Sequence, residues 1–164
     1  MIRYIINIFL SIIPSTRLFR LKSLLVSIGN SKLGKNVCFN QNVKFYGNSN
    51  VVIGNNTWVG VQCSFFSSSP ACIRIGSNCD IAPNVLFNTG SHEIGDSLRR
   101  AGSGKSDSIN VGDGTWIGSS VTILGGANIG KGSIISAGSL VLPGDYPKNT
   151  LLGGVPAKGL KALK

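Results

Sequence analysis

Residues 111–141 read VGDGTWIGSSVTILGGANIGKGSIISAGSLV, and an aliphatic side chain returns in this segment at every sixth position. The repeating residues are Val111, Ile117, Ile123, Ile129, Ile135 and Val141. A small residue follows four positions after each of the first five, namely Thr115, Val121, Ala127, Ser133 and Ser139. Such a spacing fits neither an amphipathic helix nor an alternating strand. It predicts an all-β solenoid, in which a short strand and a turn repeat around a coil.

Three hexapeptides would complete one turn of the coil, about 18 residues. The aliphatic residue is expected to fill the interior, and the small residue to fit where the narrow prism leaves little room. Gly or Asn at the corners accepts the positive φ that a tight turn needs. Successive coils would stack about 4.8 Å apart through backbone hydrogen bonds.

The same period extends towards the N-terminus in three further coils. Their repeating positions are Ile75, Ile81 and Phe87; Ile53, Val59 and Phe65; and Leu33, Phe39 and Phe45. One long break, residues 93–110, is polar and lacks an apolar period, which indicates a loop that leaves the coil. A β-sandwich of short strands is the alternative, but it would not require a fixed period.

Composition limits the function classes. A chain of 164 residues is expected to form one domain. Its formal net charge is +10, and no Asp or Glu precedes Asp80, which suits phosphorylated ligands or anionic lipid. Because no nucleic-acid motif is present, we expect no nucleic-acid partner. Four cysteines lack metal-ligand spacing, and Cys63 and Cys79 fall at small inward positions, so we expect reduced thiols, no metal and a cytoplasmic location.

The first residues form a separate element, and the predicted division is 1–28 helical lead-in, 29–146 coil with loop 93–110, and 147–164 tail. The apolar run that begins at Ile5 is too short to span a bilayer, which takes about 20 residues. Pro14 ends this run, and Ser15 and Thr16 are expected to cap a second, basic helix. The helices either pack only on the first coil or also rest on the inner face of a membrane.

The segment 75–164 resembles the hexapeptide-repeat acyltransferases, in the branch of galactoside, maltose and bacterial polysaccharide O-acetyltransferases. The motifs that carry the resemblance are IAPNV before TGSH (81–92), the loop after His92, the segment 111–141 and NTLLGGVPAK (149–158). The resemblance implies a left-handed parallel β-helix, a homotrimer with active sites between subunits, and acetyl-CoA as acyl donor.

His92 is the only histidine, and the matching family position carries the general base. An imidazole suits proton transfer near neutral pH. We therefore expect direct attack of a sugar hydroxyl on acetyl-CoA, in surface polysaccharide biosynthesis. Glu93 and Asp96 lie close in sequence, but neither is assigned as the partner that orients His92.

The resemblance also implies residues beside the CoA arm, which are Trp116, Gly118, Ser119, Ala137, Gly138, Pro156, Ala157 and Lys158. Trp116 is either a wall of this groove or a subunit contact. Relatives often carry Thr-Lys-Asp after the last strand, whereas this chain has Leu142-Pro143-Gly144-Asp145. Contacts to CoA phosphate would then rely on Lys148, Lys158 and Lys161. Asn84 either faces the saccharide acceptor or only forms a corner.

Three other functions remain open at this point. Acetylation of an amino sugar or of serine uses the same chemistry, although the helical segment looks too small for a serine acetyltransferase. A non-catalytic scaffold predicts that the His, the loop and the tail are dispensable. A γ-class carbonic anhydrase shares the coil but needs three histidines, and a single histidine excludes it.

Overall fold

The computed structural model describes residues 1–164, and most of them form a parallel β-solenoid with three sheets. Sheet A contains β1 (Ser31–Leu33), β4 (Val51–Ile53), β7 (Ile73–Ile75), β12 (Ile109–Val111), β15 (Ala127–Ile129) and β18 (Gly144–Tyr146). Sheet B contains β2 (Cys38–Phe39), β5 (Trp58–Val59), β8 (Asp80–Ile81), β13 (Trp116–Ile117), β16 (Ile134–Ile135), β19 (Thr150–Gly154) and β20 (Ala157–Ala162). Sheet C contains β3 (Lys44–Gly47), β6 (Ser64–Ser67), β9 (Leu86–Asn88), β14 (Thr122–Leu124) and β17 (Leu140–Val141). The predicted left-handed β-helix of hexapeptide repeats is confirmed.

The core follows the six-residue period. All six repeating aliphatic residues of 111–141 are at most 4% exposed, and the small residues between them are at most 2% exposed. In the earlier coils Phe45, Phe65 and Phe87 form a stack whose adjacent rings are 4.9 Å apart and nearly parallel. Cys63 and Cys79 are free and fully buried, so the prediction of buried thiols is confirmed. Burial raises the pKa of Cys63 to about 11.

The corners of the prism are made by residues in the left-handed region. Most corners have one residue with a positive φ, and Asn fills this position repeatedly, for example at Asn56 (54°), Asn78 (56°) and Asn84 (61°). Asn adopts this conformation more readily than most residues, because its short polar side chain can bond locally. The corner between sheets B and C is here called the BC corner, and that between sheets C and A the CA corner.

Two segments differ from the pattern-based boundaries. The predicted loop 93–110 is an antiparallel hairpin of β10 (Gly90–Ile94) and β11 (Ala101–Ser106), which leaves the coil at the CA corner three residues earlier, while 109–110 already belong to β12. The hairpin is built by cross-strand backbone bonds and needs no apolar period. In the segment assigned to the tail, β19 adds a further parallel rung to sheet B, with Leu152 in the core, and β20 folds back on it.

Two helices, α1 (Ile2–Ile12) and α2 (Phe19–Ile28), cover the N-terminal end of the coil. The expected cap by Ser15 and Thr16 is wrong, because α2 begins after Leu18 and has no side-chain cap. The fully buried Lys22 instead donates from Nζ to the carbonyls of Pro14 and Ser15 at 2.7 and 2.8 Å. No helix reaches the length and hydropathy that a membrane crossing requires.

Candidate functional site

His92 lies on the extruded hairpin, in register with Gly104 on the facing strand, and its side chain is exposed. It borders an open groove of about 560 Å³ at the CA corner. None of the ten residues that line the groove is hydrophobic. They are Ser68, Ser69, Pro70, Asn88, Gly90, Ser91, His92, Gly104, Lys105 and Ser106. The groove therefore offers hydroxyl, amide and ammonium groups around one imidazole.

The two acids near His92 in sequence are engaged elsewhere. Glu93 forms an ion pair with Lys105, with 3.2 Å between Oε1 and Nζ. Asp96 accepts hydrogen bonds from the backbone N–H groups of Leu98 and Arg99 and closes the hairpin turn. Neither carboxylate bonds the imidazole within this chain, which agrees with leaving the orienting partner unassigned.

The residues predicted beside CoA gather at the BC corner, although they come from three separate segments. The Gly118 N–H donates to the Ile135 carbonyl, and the Gly138 N–H donates to the Ser119 carbonyl, both at 2.8 Å. A Cβ at Gly118 would lie 2.5 Å from the Ala137 nitrogen, so the corner needs glycine there. Adjacent coils are thus in backbone contact at these positions.

The C-terminal hairpin continues this corner. The Gly154 N–H donates to Ser139 Oγ at 3.3 Å, and a Cβ at Gly153 would meet Ser136 Oγ at 3.1 Å. Pro156 lies in the turn that follows, Ala157 is buried and Lys158 is exposed. The GVPAK motif is therefore stacked directly above the Ala137–Gly138 turn.

Some backbone donors at this corner have no acceptor within the chain. Among them are the N–H groups of Ser119 and Ala137, which lie in adjacent coils. Trp116, 56% exposed, stands on the outer face of sheet B close to them. An aromatic wall beside free N–H donors can hold an extended ligand that carries amide or thioester carbonyls. No cluster of three His, Cys, Asp or Glu residues could hold a metal ion.

Asn84 lies at the BC corner, one coil before Ser120, whose N–H donates to the Pro83 carbonyl. It occupies the left-handed corner position and does not line the His92 groove. Lys148 and Lys161 are exposed, as is Lys158.

Within one chain, His92 and the predicted CoA residues therefore occupy different corners. These are separated by sheet C, and six residues at about 3.3 Å each place them roughly 20 Å apart. Sequence reasoning did not single out Ser68, Ser69 or Asn88, which line the groove. The only signal for the serines was their position in a run without apolar residues, Ser67–Ser69.

Comparison with known proteins gives the family. Residues 108–143 match the model described as bacterial transferase hexapeptide (six repeats). Galactoside O-acetyltransferase of Escherichia coli is 34% identical over 131 residues, which is 80% of this chain and 63% of that protein. The chain spans roughly half to two thirds of the length of the curated relatives that it matches.

Solved structures agree over nearly the whole chain. A galactoside acetyltransferase in complex with coenzyme A superposes with a TM-score of 0.84 at 28% identity, covering 98% of this chain and 78% of that one. A hexapeptide-repeat acetyltransferase of Vibrio cholerae complexed with acetyl coenzyme A gives a TM-score of 0.83 at 27% identity, covering 99% and 86%. The period, the coil and these relatives agree, and this chain belongs to the hexapeptide-repeat acetyltransferase family.

Proposed function

We propose that the chain is an acetyl-CoA-dependent O-acetyltransferase that acts on a sugar hydroxyl, with His92 as general base. The observation that carries this proposal is the single imidazole at the edge of a groove with no hydrophobic lining residue. Hydroxyl, amide and ammonium groups match the hydrogen-bonding surface of a saccharide. A relative of this chain is named an O-acetyltransferase, and two of the similar structures are complexes with CoA or acetyl-CoA.

In this mechanism His92 accepts the proton of the acceptor hydroxyl while the oxygen attacks the acetyl carbonyl. A backbone N–H stabilises the oxyanion that forms on the carbonyl oxygen. As the carbon–sulfur bond breaks, the imidazolium returns its proton to the departing thiolate. The products are the acetyl ester and CoA, and no acyl-enzyme is formed. Acetyl-CoA is consumed as a substrate and is not a resident cofactor.

The donor is proposed to lie along the BC corner. Its pantetheine amides can accept from the free N–H groups of Ser119 and Ala137, and Trp116 can wall the arm. Gly118 and Gly138 let the arm approach the backbone, and Pro156 and Ala157 would bound its far end. Lys158, with Lys148 and Lys161, would meet the phosphates.

We further propose a homotrimer with active sites between subunits, because one chain holds the two halves of the site at different corners. The outer face of sheet C joins these corners and is largely apolar. Its apolar residues are Tyr46, Phe66, Leu86, Leu124, Leu140 and Leu142. The outer face of sheet A instead carries a polar ladder in which Asn110 donates to Asn128 and Asn128 donates to Asp145. An apolar face between two half-sites suits packing against the next subunit.

The acceptor is proposed to belong to surface polysaccharide biosynthesis, as the sequence resemblance suggested. Asn84 could contact it from a neighbouring subunit, since it lies on the same corner as the proposed donor groove. Use of acetyl-CoA would place the protein in the cytoplasm, where that thioester is made.

The test measures thiol release from acetyl-CoA with a panel of sugars, nucleotide sugars, amino sugars and serine. We expect release with a saccharide hydroxyl acceptor, and a fall of about 100-fold or more in His92→Ala. Ser103→Ala, on the same hairpin but outside the groove, is the matched control and should keep full activity. Thiol release with serine, or only with amine acceptors, would show that the acceptor is serine or an amino sugar and not a sugar hydroxyl. If no acceptor causes thiol release and calorimetry detects no CoA binding, the chain is a non-catalytic scaffold and the proposed enzymatic function is wrong.

The shared site has its own test. His92→Ala loses the base, and Ala137→Trp fills the donor groove from an exposed corner without touching the core. Each variant alone should be inactive, whereas co-expressed subunits should regain part of the activity, because a mixed trimer contains a site with both halves intact. If mixed trimers regain no activity, His92 and the donor groove of each active site belong to the same subunit.

A further inference from the structure

The side of α1 that faces the coil buries polar residues beside apolar ones. Arg3 and Asn7, which are 7% and 8% exposed, lie there with Ile6 and Leu10. Asn7 pairs with the Phe45 backbone through two hydrogen bonds of 3.0 and 2.9 Å. The Arg3 guanidinium donates to several backbone carbonyls and, at 2.9 Å, to Ser67 Oγ. The polar residues of α1 are thus used to attach it to the coil.

The outward sides of both helices are mainly apolar. Of the 19 exposed large hydrophobic residues in the chain, 11 lie within the first 28 positions. They are Met1, Ile2, Tyr4, Ile5, Ile8, Phe9, Ile12, Leu18, Leu21, Leu24 and Ile28. These residues are here called the helical apolar face. A concentration of this kind marks an interaction surface, since scattered exposed hydrophobics would need no explanation.

Charge indicates what covers this face. The first 79 residues contain eight Lys and Arg and no Asp or Glu. Arg3 and Lys22 are buried, but Arg17, Arg20, Lys32 and Lys35 are exposed on or beside the two helices. A second copy of the same face would bring these cations against each other. An anionic bilayer offers apolar chains to the face and phosphates to the cations around it.

A groove between α2 and the first coil has the same combination of chemistry. Its volume is about 920 Å³, and its ten lining residues include Leu18, Phe19 and Leu21. Arg20 and Lys35 also line it. Apolar walls beside two cations suit an acyl chain with its phosphate at the mouth of the groove.

We propose that the helical apolar face binds the surface of an anionic lipid bilayer, with both helices lying in the interface. Helices of 11 and 10 residues are too short to cross the membrane and long enough to lie in it. The coil would then stand on the membrane by its N-terminal end. The extruded hairpin and the BC corner of later coils would stay free in solution.

The experiment compares sedimentation of the full chain with phosphatidylglycerol and phosphatidylcholine vesicles. We expect strong binding to the anionic vesicles, weaker binding to the zwitterionic ones, and partial release by salt. Ile8→Ser together with Phe9→Ser should weaken binding on the order of tenfold or more, since two apolar side chains no longer enter the lipid. The matched control is Ile94→Ser with Leu98→Ser, which removes two residues that are 89% and 95% exposed on the distant hairpin.

Circular dichroism of each variant checks that the fold is retained; the changed positions are exposed, so melting should be unchanged. Absence of vesicle binding would overturn the proposal. Equal binding of both double variants would overturn it as well, since basic residues alone would then hold the lipid. Self-association that Ile8→Ser abolishes, without vesicle binding, would assign the face to a second copy.

Discussion

Adding one methyl group at Gly118 is expected to separate two coils. A Cβ there would lie 2.5 Å from the Ala137 nitrogen, 2.8 Å from the Ile135 oxygen and 2.9 Å from the Ala137 Cα. All three are backbone atoms, so no side-chain rotation relieves the contact. Overpacking of this kind costs about 1–3 kcal/mol. Relief by separating the coils would also lengthen the 2.8 Å bond from the Gly118 N–H to Ile135, at about 1 kcal/mol more.

Gly118→Ala should therefore lower the free energy of unfolding by about 2–4 kcal/mol, which moves the urea midpoint by roughly 1 M or more. The measurement is urea unfolding followed by circular dichroism at one fixed protomer concentration, because association stabilises oligomers by mass action. Gly104→Ala is the matched control, since no atom lies within 4 Å of its added Cβ. That control should stay within about 0.5 kcal/mol of wild type. Equal midpoints for the two variants would refute the stacking of Gly118 on Ala137.

Two further predictions concern the core. Phe65→Leu removes the ring contacts with both Phe45 and Phe87, whereas Phe87→Leu removes only the contact with Phe65. Urea unfolding should therefore show that Phe65→Leu is less stable than Phe87→Leu by about 0.5–1.5 kcal/mol. Equal losses of stability in the two variants would argue against the aromatic stack. Burial raises the pKa of Cys63 to about 11 from 9.0, so the folded chain favours the neutral thiol. Stability should be full below pH 9.0 and fall by about 1.4 kcal/mol per unit towards pH 11. Cys63→Ser, which can keep the bond to Ala82 without titrating, should make this fall less steep in free energies of unfolding measured against pH, and the part that remains belongs to other groups such as Cys79, whose pKa burial also raises.

The repeat predicts the coil well because one physical requirement, filling a narrow interior, acts at every sixth residue. Ile117 and Ile123 are buried where the phase places them, and so is Phe65 two coils earlier. The six-residue spacing no longer predicts burial where the chain does not have to fill the coil interior at every sixth residue. After Val141 the aliphatic residue does not return six positions later, yet Leu152 re-enters the core on a further rung.

The candidate site was proposed from the sequence in its parts, whereas its arrangement needed the structure. His92 was singled out by its chemistry and its motif, and the Gly118 and Ala137 segments by resemblance. Their placement at different corners depends on how many residues each side of the coil takes, including the insertions that shift the phase. The cap of the second helix was predicted wrongly, because α2 begins after Leu18 and the turn before it is held by Lys22, which donates to the Pro14 and Ser15 carbonyls.

The helical apolar face and the proposed acetyl transfer are independent features of one chain. Loss of vesicle binding in Ile8→Ser with Phe9→Ser should leave acetyl transfer to a free saccharide unchanged. His92→Ala should conversely leave vesicle binding unchanged. Loss of both activities in either variant would indicate a folding defect.

The most direct measurement follows labelled acetyl from acetyl-CoA onto the saccharide acceptor at equal CoA occupancy in wild type and His92→Ala. A general base at His92 predicts that transfer falls by about 100-fold or more while the Kd for acetyl-CoA stays the same. It also predicts no labelled protein when the acceptor is omitted. Undiminished transfer by His92→Ala, or label that accumulates on the protein before it reaches the acceptor, would contradict direct transfer with His92 as the base.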